Sequence, residues 1–97
     1  MTELEKFRDH IDHIDRKLID LLKERFEYST VIGRIKNRQG IPVVQSNRWD
    51  SILSSRKDYA IKSGLSPEFT EEFLQLIHRE SIRIQEEITG GSETGIR

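Results

Sequence analysis

Residues 2–38 read TELEKFRDHIDHIDRKLIDLLKERFEYSTVIGRIKNR, a run with no proline and a single glycine, Gly33. Leu4, Phe7, Ile11, Ile14, Leu18, Leu21, Tyr28, Ile32 and Ile35 recur at steps of three and four, and Arg25 occupies the one slot left in the series. Such spacing holds one stripe on one side of an α-helix over five heptads. At 1.5 Å per residue the helix is roughly 50 Å long, about twice what the second segment can span and about one and a half times the third. The chain cannot cover that stripe by itself, so the sequence predicts a homodimer with the long helices packed together.

Outward from this run, breaks fall at Gly40-Ile41-Pro42, at Gly64 with Ser66-Pro67, and at Gly90-Gly91-Ser92. Between the first two, Trp49, Ile52, Leu53 and Ala60 keep helical spacing, with Ser46 as the expected N-cap and Gly64 just past the end. Ser66 then caps a third helix that has Pro67 at its first position and a stripe of Phe69, Phe73, Leu76, Ile77, Ile84 and Ile88. The fold class is therefore all-α, with one long and two shorter helices and no strands. A single helical domain is expected over residues 1–89, and residues 90–97, which lack any pattern, are expected to be a disordered tail or a cloning remnant.

Composition narrows the function. With 97 residues the chain has one domain's worth of protein, and at 34% hydrophobic residues an isolated copy has a thin core. Sixteen Lys+Arg against 17 Asp+Glu leave a formal charge of -1, which argues against a nucleic-acid binder. The absence of cysteine excludes disulfides, thiolate metal sites and a thiol nucleophile, and fits a reducing compartment. No apolar run approaches the roughly 20 residues of a membrane span, and the first residues lack a signal peptide's apolar segment, so a cytoplasmic location is expected.

The informative residues are those that break the helical pattern. A guanidinium at position 25, inside an apolar seam, stays charged and needs an anion or a route to water. A structural salt bridge and a snorkelling side chain are the plain alternatives to a ligand site. Lys36 lies eleven residues on, within about 20° of the same helical phase and roughly 16 Å away, and no acidic residue shares that face between them. Two cations leaning together leave room for a small dianion. Arg8 is 17 residues before Arg25, about 25 Å away and about 100° out of phase, so it reaches such a pocket only from a second chain.

On the third helix Ser81 and Gln85 fall in the apolar stripe. The hydroxyl has the option of bonding a carbonyl one turn back, whereas a buried amide needs partners that its own helix does not supply. Arg48 and Trp49 open the second helix, where the indole suits either core or ligand contact. His10 and His13 share a face without a third ligand in a recognised spacing, and His78 is read onto the polar flank of helix three. The sequence has no Gly-rich phosphate loop, no Ser/His/Asp arrangement and no glutamate-histidine metalloprotease motif, so no cofactor or metal is expected.

Five stretches together resemble the small all-α chorismate mutases: Phe7-Arg8-Asp9-His10-Ile11-Asp12-His13-Ile14-Asp15, Leu21-Leu22-Lys23-Glu24-Arg25, Val31-Ile32-Gly33-Arg34-Ile35-Lys36, Arg48, and Ser81 with Gln85. The resemblance covers about residues 4–88. It implies three helices per chain in an intertwined dimer with shared active sites. It further implies that Arg25 and the second chain's Arg8 clamp the two carboxylates of chorismate. Lys36 and Gln85 would bond the ether oxygen of the breaking bond, Ser81 would assist a carboxylate, and Arg48 would line the site.

Two positions depart from the family pattern. Trp49 stands where many members have a glutamate, and Gln45 where an aspartate is frequent; in those members the acids contact the ring hydroxyl. A sister branch of the same fold, the isochorismate-pyruvate lyases, also lacks that glutamate. Residues 40–49, Gly-Ile-Pro-Val-Val-Gln-Ser-Asn-Arg-Trp, resemble instead mutase domains fused to a shikimate-pathway synthase. The resemblance thus implies a mutase that makes prephenate for phenylalanine and tyrosine, with fusion to or association with another enzyme of that pathway in view. A salicylate-forming lyase and a non-catalytic helical dimerisation or regulatory module are its alternatives.

Overall fold

The computed structural model describes residues 2–94, with side chains through residue 89, and contains three helices: α1 (Glu3–Gln39), α2 (Ser46–Lys62) and α3 (Pro67–Thr94). Helix α1 starts where the Thr2 hydroxyl accepts from the Glu5 amide at 3.1 Å. It stops where Gly40 takes a left-handed conformation (φ 68°), which lets the chain turn while the Ile41 amide bonds the Lys36 carbonyl at 2.9 Å. Glu3 and Glu5 in the first turn and Lys36 and Arg38 in the last complement the helix dipole.

At α3 the expected cap is present: Ser66 Oγ accepts from the Phe69 amide at 3.2 Å, and Pro67 is the first helical residue. At α2 the expectation needs correction. Gln45 occupies the N-cap and its side chain makes no capping bond, while Ser46 is already helical. The extended backbone of Gln45 (φ -124°, ψ 95°) follows from the loop, which delivers the chain one residue earlier than side-chain preference alone suggests. Helix α3 also runs past Thr89 to Thr94, so residues 90–94 of the expected tail are helical. Two glycines weaken a helix by about 1 kcal/mol each but do not end one that is already propagating. Residues 95–97 of that tail lie outside the described residues.

Helix α3 packs on both others. Contacts between residues 57 and 71 and between 49 and 78 run α2 antiparallel to it, whereas those from 25 to 81 and from 36 to 85 set the second half of α1 alongside it in the same direction. The face of α1 that α3 covers contains Leu22, Phe26, Ser29, Gly33 and Lys36, about one residue round from the apolar seam. Most of the seam stays open, with Ile35 half-buried at its end, and every residue from Thr2 to Leu21 is exposed. On α3, too, Phe69, Phe73 and Leu76 are exposed, although the sequence counts them with the covered stripe; the covered line is Thr70, Ile77, Ser81 and Gln85.

The most buried side chains are therefore mostly small or polar, and Ala60 and Ile77 are the buried apolar residues among those described. Gly33 allows the closest approach. A β-carbon there would lie 3.1 Å from Gln85 Cγ and Ile88 Cδ1 and 3.2 Å from Gln85 Cα. The outline is 57 × 28 × 18 Å, and the radius of gyration of 17.3 Å exceeds the ~13 Å of a compact 100-residue domain.

Candidate active site

The second half of α1, the start of α2 and the middle of α3 enclose a pocket of about 340 Å³. Seven of the eight residues expected at the site line it: Arg25 and Lys36 from α1, Gln45 from the loop, Arg48 and Trp49 from α2, and Ser81 and Gln85 from α3. Arg8 is exposed in the first half of α1 and lies outside this pocket.

Within it, Arg25 Nη1 donates to Ser81 Oγ at 3.0 Å, and Ser81 and Ser29 share a hydroxyl bond of 2.9 Å. Ser81 thus bonds across helices rather than one turn back in its own, and Ser29 is the residue that back-bonds, to the Arg25 carbonyl at 3.3 Å. The bridge orients one edge of the guanidinium and leaves its remaining donors for a ligand.

Lys36 is held from two sides. Its Nζ donates to the Val43 carbonyl at 2.7 Å and to Gln85 Oε1 at 2.9 Å. An ammonium has three protons, so one is left over. With its oxygen committed to Lys36, the buried Gln85 amide keeps its nitrogen as a second donor among the pocket's lining groups. A charged donor and a neutral one therefore sit side by side, which suits an oxygen on which negative charge develops.

Sequence reading missed three polar lining residues, Ser29, Arg56 and His78. Each had a signal: Ser29 is one turn beyond Arg25, Arg56 continues the 49–52–56 face of α2, and His78 is seven residues before Gln85. The placement of His78 on a polar flank is corrected. Its ring stacks on Trp49 with centroids 3.8 Å apart and planes at 9°. Residue 78 lies on the side of α3 that meets α2, which an α1-facing stripe does not disclose.

The lining has four cationic side chains, Arg25, Lys36, Arg48 and Arg56, and no carboxylate. Burial, then the charge of Arg56, holds Arg25 below its ordinary pKa, and burial alone lowers Lys36. His78 is lowered first by burial and then by Arg25 and Lys36, so its ring is neutral at pH 7. This field selects an anion. Among the described residues no group of three or more His, Cys, Asp and Glu side chains is placed to hold a metal, and no helix is long and apolar enough to cross a membrane.

Comparison with known proteins agrees with this chemistry. The family model described as chorismate mutase type II matches residues 7–86. Over 81 residues the chain is 38% identical to the T-protein of Enterobacter agglomerans, which is 84% of this chain and 22% of that protein. It is 34% identical to the bifunctional chorismate mutase/prephenate dehydratase of Aquifex aeolicus, again across 22% of the relative's length. A third relative, 29% identical over 85 residues, is the 4-amino-4-deoxychorismate mutase of Streptomyces venezuelae, of which 82% is covered. The chain thus spans about a fifth of the first two relatives and most of the third.

Proposed function

Because the chain belongs to the chorismate mutase type II family of isomerases, we propose that its pocket binds chorismate and converts it to prephenate by a Claisen rearrangement, on the way to phenylalanine and tyrosine. The observation that carries this reading is the Lys36–Gln85 pair beside Arg25 in a pocket without carboxylates. The rearrangement breaks an ether C–O bond and forms a C–C bond within one molecule. It requires no nucleophile, base or redox partner, only a compact substrate conformer and relief of the charge that grows on the ether oxygen. Arg25 grips one carboxylate through its free donors, assisted by Ser81, with Arg48 along the wall. The third proton of Lys36 and the Gln85 amide nitrogen meet the ether oxygen.

In this reading the second carboxylate is gripped by Arg8 of a second copy, in an intertwined dimer formed along the exposed stripe of α1. Its span of 22% of the T-protein and of the bifunctional Aquifex protein makes a partner enzyme of the same pathway, fused or associated, part of the proposal. The charge of the pocket separates candidate substrates. A 4-amino-4-deoxychorismate bears an amino group which, when protonated, faces Arg25, Lys36, Arg48 and Arg56 with no counter-charge in the lining. The hydroxyl of chorismate has no such conflict.

The test is to incubate the purified protein separately with chorismate, 4-amino-4-deoxychorismate and isochorismate and to identify products by chromatography. Prephenate from chorismate as the dominant product is expected. Salicylate and pyruvate from isochorismate alone would move the chain to the lyase branch, and conversion of none of the three would leave a non-catalytic helical module.

A further inference from the structure

The stack of Trp49 on His78 uses two residues for which the rearrangement has no chemical need. Trp49 sits in the first turn of α2, the helix start with the weakest local support: its N-cap makes no side-chain bond and its first turn has no acidic residue. Helix α2 packs on α3 rather than α1, and its far end is tied down by the Lys57–Glu71 ion pair at 2.7 Å. At the pocket end the corresponding tie is the ring pair, with its 3.8 Å centroid separation and near-parallel planes. The same turn supplies Arg48 and, one residue before the helix, Gln45. Whatever fixes Trp49 therefore fixes the α2 wall.

We propose that His78 is a positioning residue: it holds the Trp49 indole flat along the α2 wall, and that indole, in place of an acid, is the surface on which the substrate's ring lies. The substrate half of this inference rests on the chorismate reading. The arrangement suits the task because the indole is an uncharged flat patch among the pocket's cations, so that a dicarboxylate can give its charged groups to the Arg and Lys side chains and lay its ring on Trp49. A neutral imidazole serves here better than an imidazolium, which would add a further positive charge beside Arg25 and Lys36. Burial and those two cations keep the ring neutral. The indole gives the flat apolar face, and the imidazole stacked on it restrains its rotation.

The experiment compares wild type with His78→Ala and His78→Phe. Trp49 is the single tryptophan of the chain, so intrinsic fluorescence reads the stack directly and without substrate. For His78→Ala we expect a red-shifted emission and a KM for chorismate raised roughly two- to tenfold. Its kcat is expected within about twofold of wild type, since ring stacking acts on ground state and transition state alike. His78→Phe, which keeps a stacking ring without a titrating nitrogen, restores both emission and KM. It also keeps the test decisive if the alanine variant folds poorly. Unchanged emission and KM in His78→Ala overturn the proposal, as does a fall in kcat at constant KM or a phenylalanine variant that behaves like alanine. If wild type itself leaves chorismate unchanged, the functional reading has failed as well; if wild type turns over and only the KM shift is missing, this inference alone has failed.

Discussion

The two halves of α1 share one uninterrupted helix and one heptad series, yet they meet different surroundings. From Thr2 to Leu21 every residue is exposed, including Phe7 at 62% and Leu21 at 60%. From Leu22 to Lys36 the helix lies along α3, and what it buries there is Ser29 and Gly33 rather than a leucine. The contrast shows that an apolar stripe and a covered face are different properties. The covered half is built for polar contacts: Arg25 to Ser81, Ser29 to Ser81, and Lys36 to Gln85. The open half has roughly five turns of apolar surface with nothing in its own chain to meet it, well beyond the scattered exposure normal for a monomer.

The comparison breaks most visibly at the polar half. If chorismate is the substrate as proposed, replacing Lys36 by alanine takes away one of two donors for the ether oxygen, and turnover should fall by about two to three orders of magnitude while far-UV circular dichroism keeps the wild-type helix signal. Near-normal turnover would take Lys36 out of the chemistry. The link between the halves is tested next, by mixing. Arg8→Ala and Arg25→Ala are each expected to be nearly inactive, and in the proposed dimer about a quarter of wild-type activity should return after subunit exchange, because half of such dimers would be mixed and each would contain one intact pocket. Exchange demonstrated by mass labels without any rescue would separate Arg8 from the site.

A smaller effect tests the close approach. Gly33→Ala places a β-carbon 3.2 Å from the Gln85 backbone, a neighbour that cannot swing aside, so α3 must shift. We expect a loss of about 1–3 kcal/mol in urea unfolding, with activity falling through displacement of Gln85. An alanine variant of unchanged stability would show that the helices have slack.

The smallest effect concerns pH. His78 has a folded-state pKa below its ordinary value of 6.5, so the unfolded chain takes up the proton first. Its contribution to stability is full above about pH 6.5 and declines as pH falls from there toward the lowered native value. The urea midpoint of wild type should therefore drop on acidification through this window more than that of His78→Phe. Equal slopes would show that the ring is not held neutral by its surroundings.

Much of this site was legible in the chain. Arg25 stood out because it interrupts a seam, Lys36 because it repeats its phase, and Gln85 because a buried amide demands partners. His78 and Arg56 were not legible in the same way, since each lies on a face whose neighbour is another helix. The rotation of a helix about its axis is set by packing across the chain, not by its own periodicity. The same reason accounts for the exposed Phe69, Phe73 and Leu76.

What the sequence determined by itself is therefore local and periodic: three helices, their approximate ends, an apolar stripe too long for one chain to cover, and cations placed where a core residue is expected. Each follows from spacing along a single segment, where 3.6 residues per turn fix which side chains share a face. Only the tertiary structure decided which of those faces meet. It set α1 one residue round from its apolar seam, brought Lys36 within 2.9 Å of Gln85, and laid His78 on Trp49, because contacts between residues tens of positions apart depend on how rigid helices lock together in three dimensions.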